Sequence, residues 1–153
     1  MDWITRERPK IDRVACPWLI IRFVDPEAVF HFVPPAQVRD QAQALGATPF
    51  DVDGVELSHD GPRCSFDAFL AKYQLGDPAL AELAVIVRGA DTARLDLAPQ
   101  CAGLLAVSLG LSQLFRDDRV MLRHGFVVYD ALYAWARYAK SEAHSWNPQR
   151  GAA

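Results

Sequence analysis

Residues 99–115 read PQCAGLLAVSLGLSQLF, a proline followed by sixteen residues without one charged side chain. Apolar residues recur on almost every side, and helices of that kind are usually buried all round. The stretch is therefore expected to form the central buried helix of the domain. Gly103 and Gly110 stand seven apart, on roughly one face, where they would let another helix approach closely.

Working outward, two more helices flank it. Upstream, DPALAELAVIVRGAD (77–91) has Asp77 as a cap and Pro78 at the first helical position. Downstream, DDRVMLRHGFVVYDALYAWARYAK (117–140) begins with acids and ends in bases, as the helix dipole favours. Prolines at 9, 17, 26, 34, 35, 49, 62, 78 and 99 punctuate everything before, and the next is Pro148. Short elements should come first and long helices last.

Among the short elements, PWLIIRFVD (17–25) reads as a helix with Pro17 in its first turn. AVFHFVP (28–34) alternates and reads as a strand. PAQVRDQAQALG (35–46) reads as a helix closed by Gly46, GVELSH (54–59) as a second strand, and SFDAFLAKYQLG (65–76) as a helix capped by Ser65. The expected fold is α+β, a mostly helical single domain with a small β-sheet over residues 1–146, followed by a polar tail at 147–153.

Composition narrows the function. A chain of 153 residues with net charge −3 and pI near 5.7 has no basic footprint for nucleic acid, so no DNA binding is expected from it alone. No run is apolar enough to span a bilayer, and the N-terminus is charged from its second residue, without a signal core. The three cysteines are odd in number, widely spaced and free of any CxxC pair, which suits the cytoplasm. No nicotinamide or flavin fingerprint is present.

Phase then singles out polar groups on apolar faces. Leu80, Ala84, Val87 and Asp91 form one helical stripe, and Met121, His124, Val128, Leu132 and Trp135 another. A buried carboxylate needs a partner. For Asp91 that partner could be His124 or Arg88 in a structural pair, or the residue could emerge at the helix end. The loop ELSHDGPRCSFDAF (56–69) offers Glu56 and His59, three apart before an Asp-Gly-Pro turn. Glu56, His59, Asp91 and His124 would together make a two-histidine, two-carboxylate set suited to iron, manganese or zinc. His31 and His144 are expected to face solvent or fill sheet and tail positions.

Cys16, beside Arg13 at a helix start, is the candidate nucleophile or redox thiol, against the plainer reading of a packed, inert side chain. Cys64 beside Arg63 has the same ambiguity, and Cys101 is expected in the core. Arg13 and Arg88, each near an aspartate, are read first as salt-bridge partners and second as oxyanion ligands.

Four blocks taken together, RERPKIDRVACPWLIIRFVDPEA, VELSHDGPRCSFDAFL, IVRGADTARLDLAPQCAGLLAVSLGLS and HGFVVYDALYAW, resemble the C-terminal domain of the chromate-resistance ChrB family. The resemblance covers about Trp3 to Trp146. It implies kinship with regulators of chromate-efflux operons, whose full-length members carry an additional N-terminal region that this chain is expected to lack. Similar domains also occur joined to rhodanese-like modules. Asp12, Arg13, Cys16, Glu56, His59, Cys64, Arg88, Asp91 and His124 fall within the matching blocks.

Three functions follow. The first is a chromate-resistance-type domain that binds a metal ion or a small oxyanion and senses or supports the response to chromate or oxidative stress. The second is a small mononuclear metalloenzyme, a hydrolase, lyase or oxidoreductase. The third is a structural or oligomerisation domain, with self-association left open. On the first two readings, replacing either His59 or His124 should remove the metal.

Overall fold

A computed structural model describes residues 1–145. Trp146 and the tail at 147–153 lie outside the described residues. The sheet is built around β1 (Asp2–Arg6), which pairs in parallel with β2 (Val29–Val33) and β3 (Thr48–Pro49) in the order β2-β1-β3. Trp3, Ile4 and Thr5 are all fully buried, as a central parallel strand requires.

Two features of the sheet depart from the sequence reading. β1 replaces GVELSH as the partner of AVFHFVP, and residues 54–59 form a turn-rich loop. There the Asp51 N–H donates to the Leu57 carbonyl at 2.8 Å, which bends the chain back on itself. Leu57 and Ser58 are buried together and Glu56 is exposed, so the period-2 alternation of a strand is absent.

Helix α1 (Asp12–Leu19) begins five residues earlier than Pro17, which sits inside it, and runs on as a π-helical turn (Ile20–Val24). The proline lacks the N–H that would bond four residues back, and the wider π spacing begins three residues further on, at Ile20. Ile11, just before α1, has φ of 44°, uncommon for a β-branched residue. Its carbonyl accepts from the Tyr129 hydroxyl at 2.9 Å, and the kinked entry turns Asp12 inward.

α2 (Val38–Leu45) ends where expected, at a left-handed Gly46. α3 (Ser65–Lys72) is capped by Cys64 and not by Ser65. The Cys64 N–H donates to Asp67 at 3.0 Å, and the Ser65 hydroxyl is free to donate to Asp51 at 2.8 Å. α4 (Pro78–Asp91) and α6 (Asp118–Ala134) carry aspartate caps at Asp77 and Asp117, the latter helix continuing in a π turn (Trp135–Ala139).

Among the described residues, α5 (Cys101–Leu114) packs against α4 and α6 along one side. Its buried residues are Cys101, Leu104, Ser108 and Ser112, whereas Val107, Leu109 and Leu114 stand open. The central buried helix of the sequence reading is thus a peripheral one. A uniformly apolar sequence does not encode which of its sides the chain covers. No helix among the described residues is long and apolar enough to cross a membrane.

Candidate functional site

Three helices and one loop converge at Asp12, in the first turn of α1. Its side chain is 1% exposed and accepts the Ser65 N–H at 2.6 Å and the Phe66 N–H at 3.0 Å, two otherwise unpaired donors at the start of α3. The carboxylate therefore binds where the α3 dipole is positive. The Cys16 thiol, one turn along α1, lies 3.4 Å from the same carboxylate.

His59 enters from the loop. Its Nε2 lies 3.1 Å from Asp91 Oδ2, 3.3 Å from Asp51 Oδ1 and 3.4 Å from Asp12 Oδ2. Asp91 is the last residue of α4, where the Leu80–Ala84–Val87 stripe carries it onto the buried side. Asp51 is placed by a backbone with φ of 51°, which aspartate tolerates better than most residues. The imidazole is 39% exposed and forms the solvent side of the cluster.

The charges account for the shifted acidities. The bond to Asp12 and the nearby Asp51 and Asp91 raise the His59 pKa from 6.5 to about 9, against the opposing pull of burial. Burial, reinforced by Asp12 and Asp51, raises Asp91 to about 6. Burial and Asp12 also push Asp51 upward, opposed by the Ser65 hydroxyl, Arg6 and Arg13. Arg6 meets Asp51 at 2.9 Å and Arg13 at 3.4 Å. Imidazolium and guanidinium groups together hold this much negative charge inside the domain.

Ligand atoms of Asp12, His59 and Asp91 all lie within 4.8 Å of one another. One imidazole and two carboxylates are donors for a borderline or hard divalent ion. Asp12 and Asp91 supply carboxylate oxygens and His59 a ring nitrogen, so the residues fit such an ion.

Of the four metal ligands expected from sequence, the structure brings together His59 and Asp91. Glu56 is exposed and salt-bridged to Lys72. His124 is exposed and stacks on Phe115, ring centroids 4.1 Å apart and planes 4° from parallel. Gly125, not His124, faces α1, where a Cβ would come 2.6 Å from Val14 Cγ1. The partner of Asp91 is accordingly neither His124 nor Arg88, which lies 3.4 Å from Asp67.

The remaining candidates are differently placed. Burial foremost, then Asp12 and Asp51, push the Cys16 thiol well above its ordinary pKa, the reverse of the activation expected from Arg13 and the helix start. Burial does the same to Cys64. Arg13 donates to the carbonyls of Arg6 and Glu7 at 3.0 Å each while facing Asp51. Arg88 lines a cavity of about 390 Å³ with Gly61, Pro62, Thr92, Arg94 and Leu97. His31 meets Asp2 at 2.8 Å, and His144 is exposed.

Asp12 and Asp51 were not singled out as ligands from sequence. Asp12 had a readable signal, since Asp12, Ala15, Cys16 and Leu19 form an apolar helical stripe interrupted by one acid. Asp51 had none, because its inward aim depends on a left-handed backbone inside a loop.

Fold and cluster define a class: a small, helix-rich α+β domain with an inward-facing carboxylate–imidazole centre. Residues 3–136 match the family described as ChrB, C-terminal domain. The chain belongs to that family. Protein ChrB of Cupriavidus metallidurans is 37% identical over 134 residues, which are 86% of this chain and 40% of the relative. The chain thus spans less than half the length of that protein. No solved structure gives a significant match.

Proposed function

We propose that this domain binds one divalent transition-metal ion through Asp12, His59 and Asp91, in the service of the chromate-resistance role that goes with its family. The convergence of those three side chains within 4.8 Å, on α1, a loop and α4, carries the reading. Asp51 sits beside them as an additional carboxylate, held by Ser65, Arg6 and Arg13. Three protein ligands leave coordination positions for solvent or a small ligand. The exposed edge of His59 gives that ligand a way in.

Metal analysis of the purified protein and of its variants tests this. The parent should hold close to one equivalent of iron, manganese or zinc after dialysis, and His59→Ala and Asp91→Asn close to none. His124→Ala should keep the full amount, because His124 lies outside the cluster. Equal metal in the parent and in His59→Ala would refute the proposal.

Oxyanion binding is the second reading, favoured by the cavity that Arg88 and Arg94 share. Arg88 is paired with Asp67 and Arg94 with Asp96, so an anion would compete with both carboxylates. Saturable chromate or sulfate binding that Arg88→Ala abolishes would support it, and binding unaffected by that change would exclude this cavity.

A further inference from the structure

A groove of about 560 Å³ runs between the sheet and α6 and shares no residue with the Asp12 cluster. Ile21, Phe30, Phe32 and Phe126 line it, with the exposed Arg119 and Arg123 of α6 at its mouth. Its sheet side is β2, an edge strand. The Val29 N–H donates to the Met1 carbonyl at 2.9 Å, and the Val33 carbonyl accepts from the Glu7 N–H at 2.8 Å. Val29, His31 and Val33 therefore turn their peptide groups to β1, and the residues between them turn theirs the other way. Phe30 and Phe32 aim their N–H and C=O groups outward, where these have no partner among the described residues. Between Glu27 and Pro34 the only acidic or basic residue is His31, which is bonded to Asp2, so no free charge blunts this edge.

The arginines make a second, separate point. Arg22, Arg94 and Arg137, elsewhere on the surface, each meet an aspartate. Arg119 and Arg123 meet none among the described residues, and they stand one helical turn apart, where like charges repel. Arg119 also lies in the first turn of α6, where the helix dipole disfavours a cation. The one acid of the lining, Asp117, is turned to its own helix as the cap and accepts the Val120 N–H at 2.9 Å. Two unpaired guanidinium groups beside an apolar floor suit carboxylates carried on an apolar chain.

We propose that this groove receives an extended acidic segment of a partner protein, added as a strand along the open edge of β2. The Phe30 and Phe32 peptide groups offer it two N–H donors and two C=O acceptors. Alternate side chains of an added strand point to one face, and on the α6 side they meet the apolar floor and the two arginines. Each guanidinium takes one carboxylate through paired N–H bonds. Main-chain pairing supplies affinity for any extended segment, and the arginines select acidic segments over neutral or basic ones. A free amphipathic carboxylate matches the floor and the arginines but leaves the Phe30 and Phe32 peptide groups unpaired, so the peptide is the better fit.

Selection of a displayed random heptapeptide library on the full chain tests the proposal, followed by titration of the recovered peptides made synthetically. Recovered sequences should set at least two acidic residues among apolar ones and bind the parent saturably. Arg119→Ala and Arg123→Ala should each weaken that binding about tenfold or more. Both arginines are exposed, so circular dichroism and thermal midpoint should stay at parental values. Methylating alternate backbone nitrogens of the peptide gives two versions, one for each phase. One version should lose about tenfold or more and the other almost nothing, because only one set of N–H groups faces β2. A selection that recovers no acidic peptide, binding unchanged in both arginine variants, or equal loss from the two methylated versions would overturn the proposal. Saturable binding of decanoate where no acidic peptide binds would also overturn it, in favour of a small amphipathic acid.

Discussion

The Asp12 cluster and the outer face of α5 each invert the burial rule, in opposite senses. In the cluster, ionisable groups lie inside, and the chain itself supplies their partners: two backbone N–H groups, an imidazole, a hydroxyl and two guanidinium groups. On α5, hydrocarbon lies outside, and nothing among the described residues covers it. On the proposed reading, an ion would take the place of the proton that His59 shares with the carboxylates.

The largest effect should come from Asp12→Ala. It leaves the Ser65 and Phe66 N–H groups without an acceptor in a buried place, and urea unfolding should show a loss of about 3 kcal/mol. A loss no larger than that of an exposed substitution would mean that the cluster is not internally compensated as described. Gly89→Ala comes next, at about 2 kcal/mol, because its Cβ has no room beside Cys101 and the Arg94 carbonyl. Gly103→Ala should act with the opposite sign, stabilising the chain by up to about 1 kcal/mol, because a Cβ there meets nothing within 4 Å. Equal destabilisation by the two changes would erase the contrast between a packed and an open side of α5.

Acidity sharpens the comparison from the cluster side. His59 is raised from 6.5 to about 9, so its favourable contribution is complete below pH 6.5 and is lost as pH rises through 9. Asp91, raised from 3.8 to about 6, adds a further loss as pH rises between those values. Metal-free protein should therefore lose stability steadily from about pH 4 to pH 9 in denaturant titrations, and His59→Gln should flatten the upper half of that profile. Metal affinity should climb over the upper half, since the proton on His59 competes with the ion. A parental profile that rises with pH would contradict the cluster electrostatics. The smallest effect is chemical: Cys16 should resist iodoacetamide at neutral pH in the folded protein, because burial and Asp12 keep the thiol protonated.

Much of the fold was readable, and its legible parts share a cause. The strand Val29–Val33, the Gly46 stop, the Asp77 cap and the long final helix are set by residues close in sequence. β1 was missed because Trp3, Ile4 and Thr5 give a short apolar run with no alternation, the signature of a strand buried on both faces. The start of α1 was missed because Pro17 looks like a first-turn residue and sits mid-helix instead. At the site, helical phase reached Asp91 and would have reached Asp12. It failed for His124, one position from the glycine that actually faces α1, because phase resolves a face only coarsely near its margin. Loop residues have no phase, so the gathering of His59 with Asp51 is a property of the folded chain alone.

Diffraction from crystals soaked in manganese, collected for anomalous signal, tests the metal site most directly. The expected result is a single strong peak within about 2.0–2.3 Å of oxygens of Asp12 and Asp91 and of His59 Nε2. An empty difference map there, or a peak held by Glu56 or His124 instead, would contradict it.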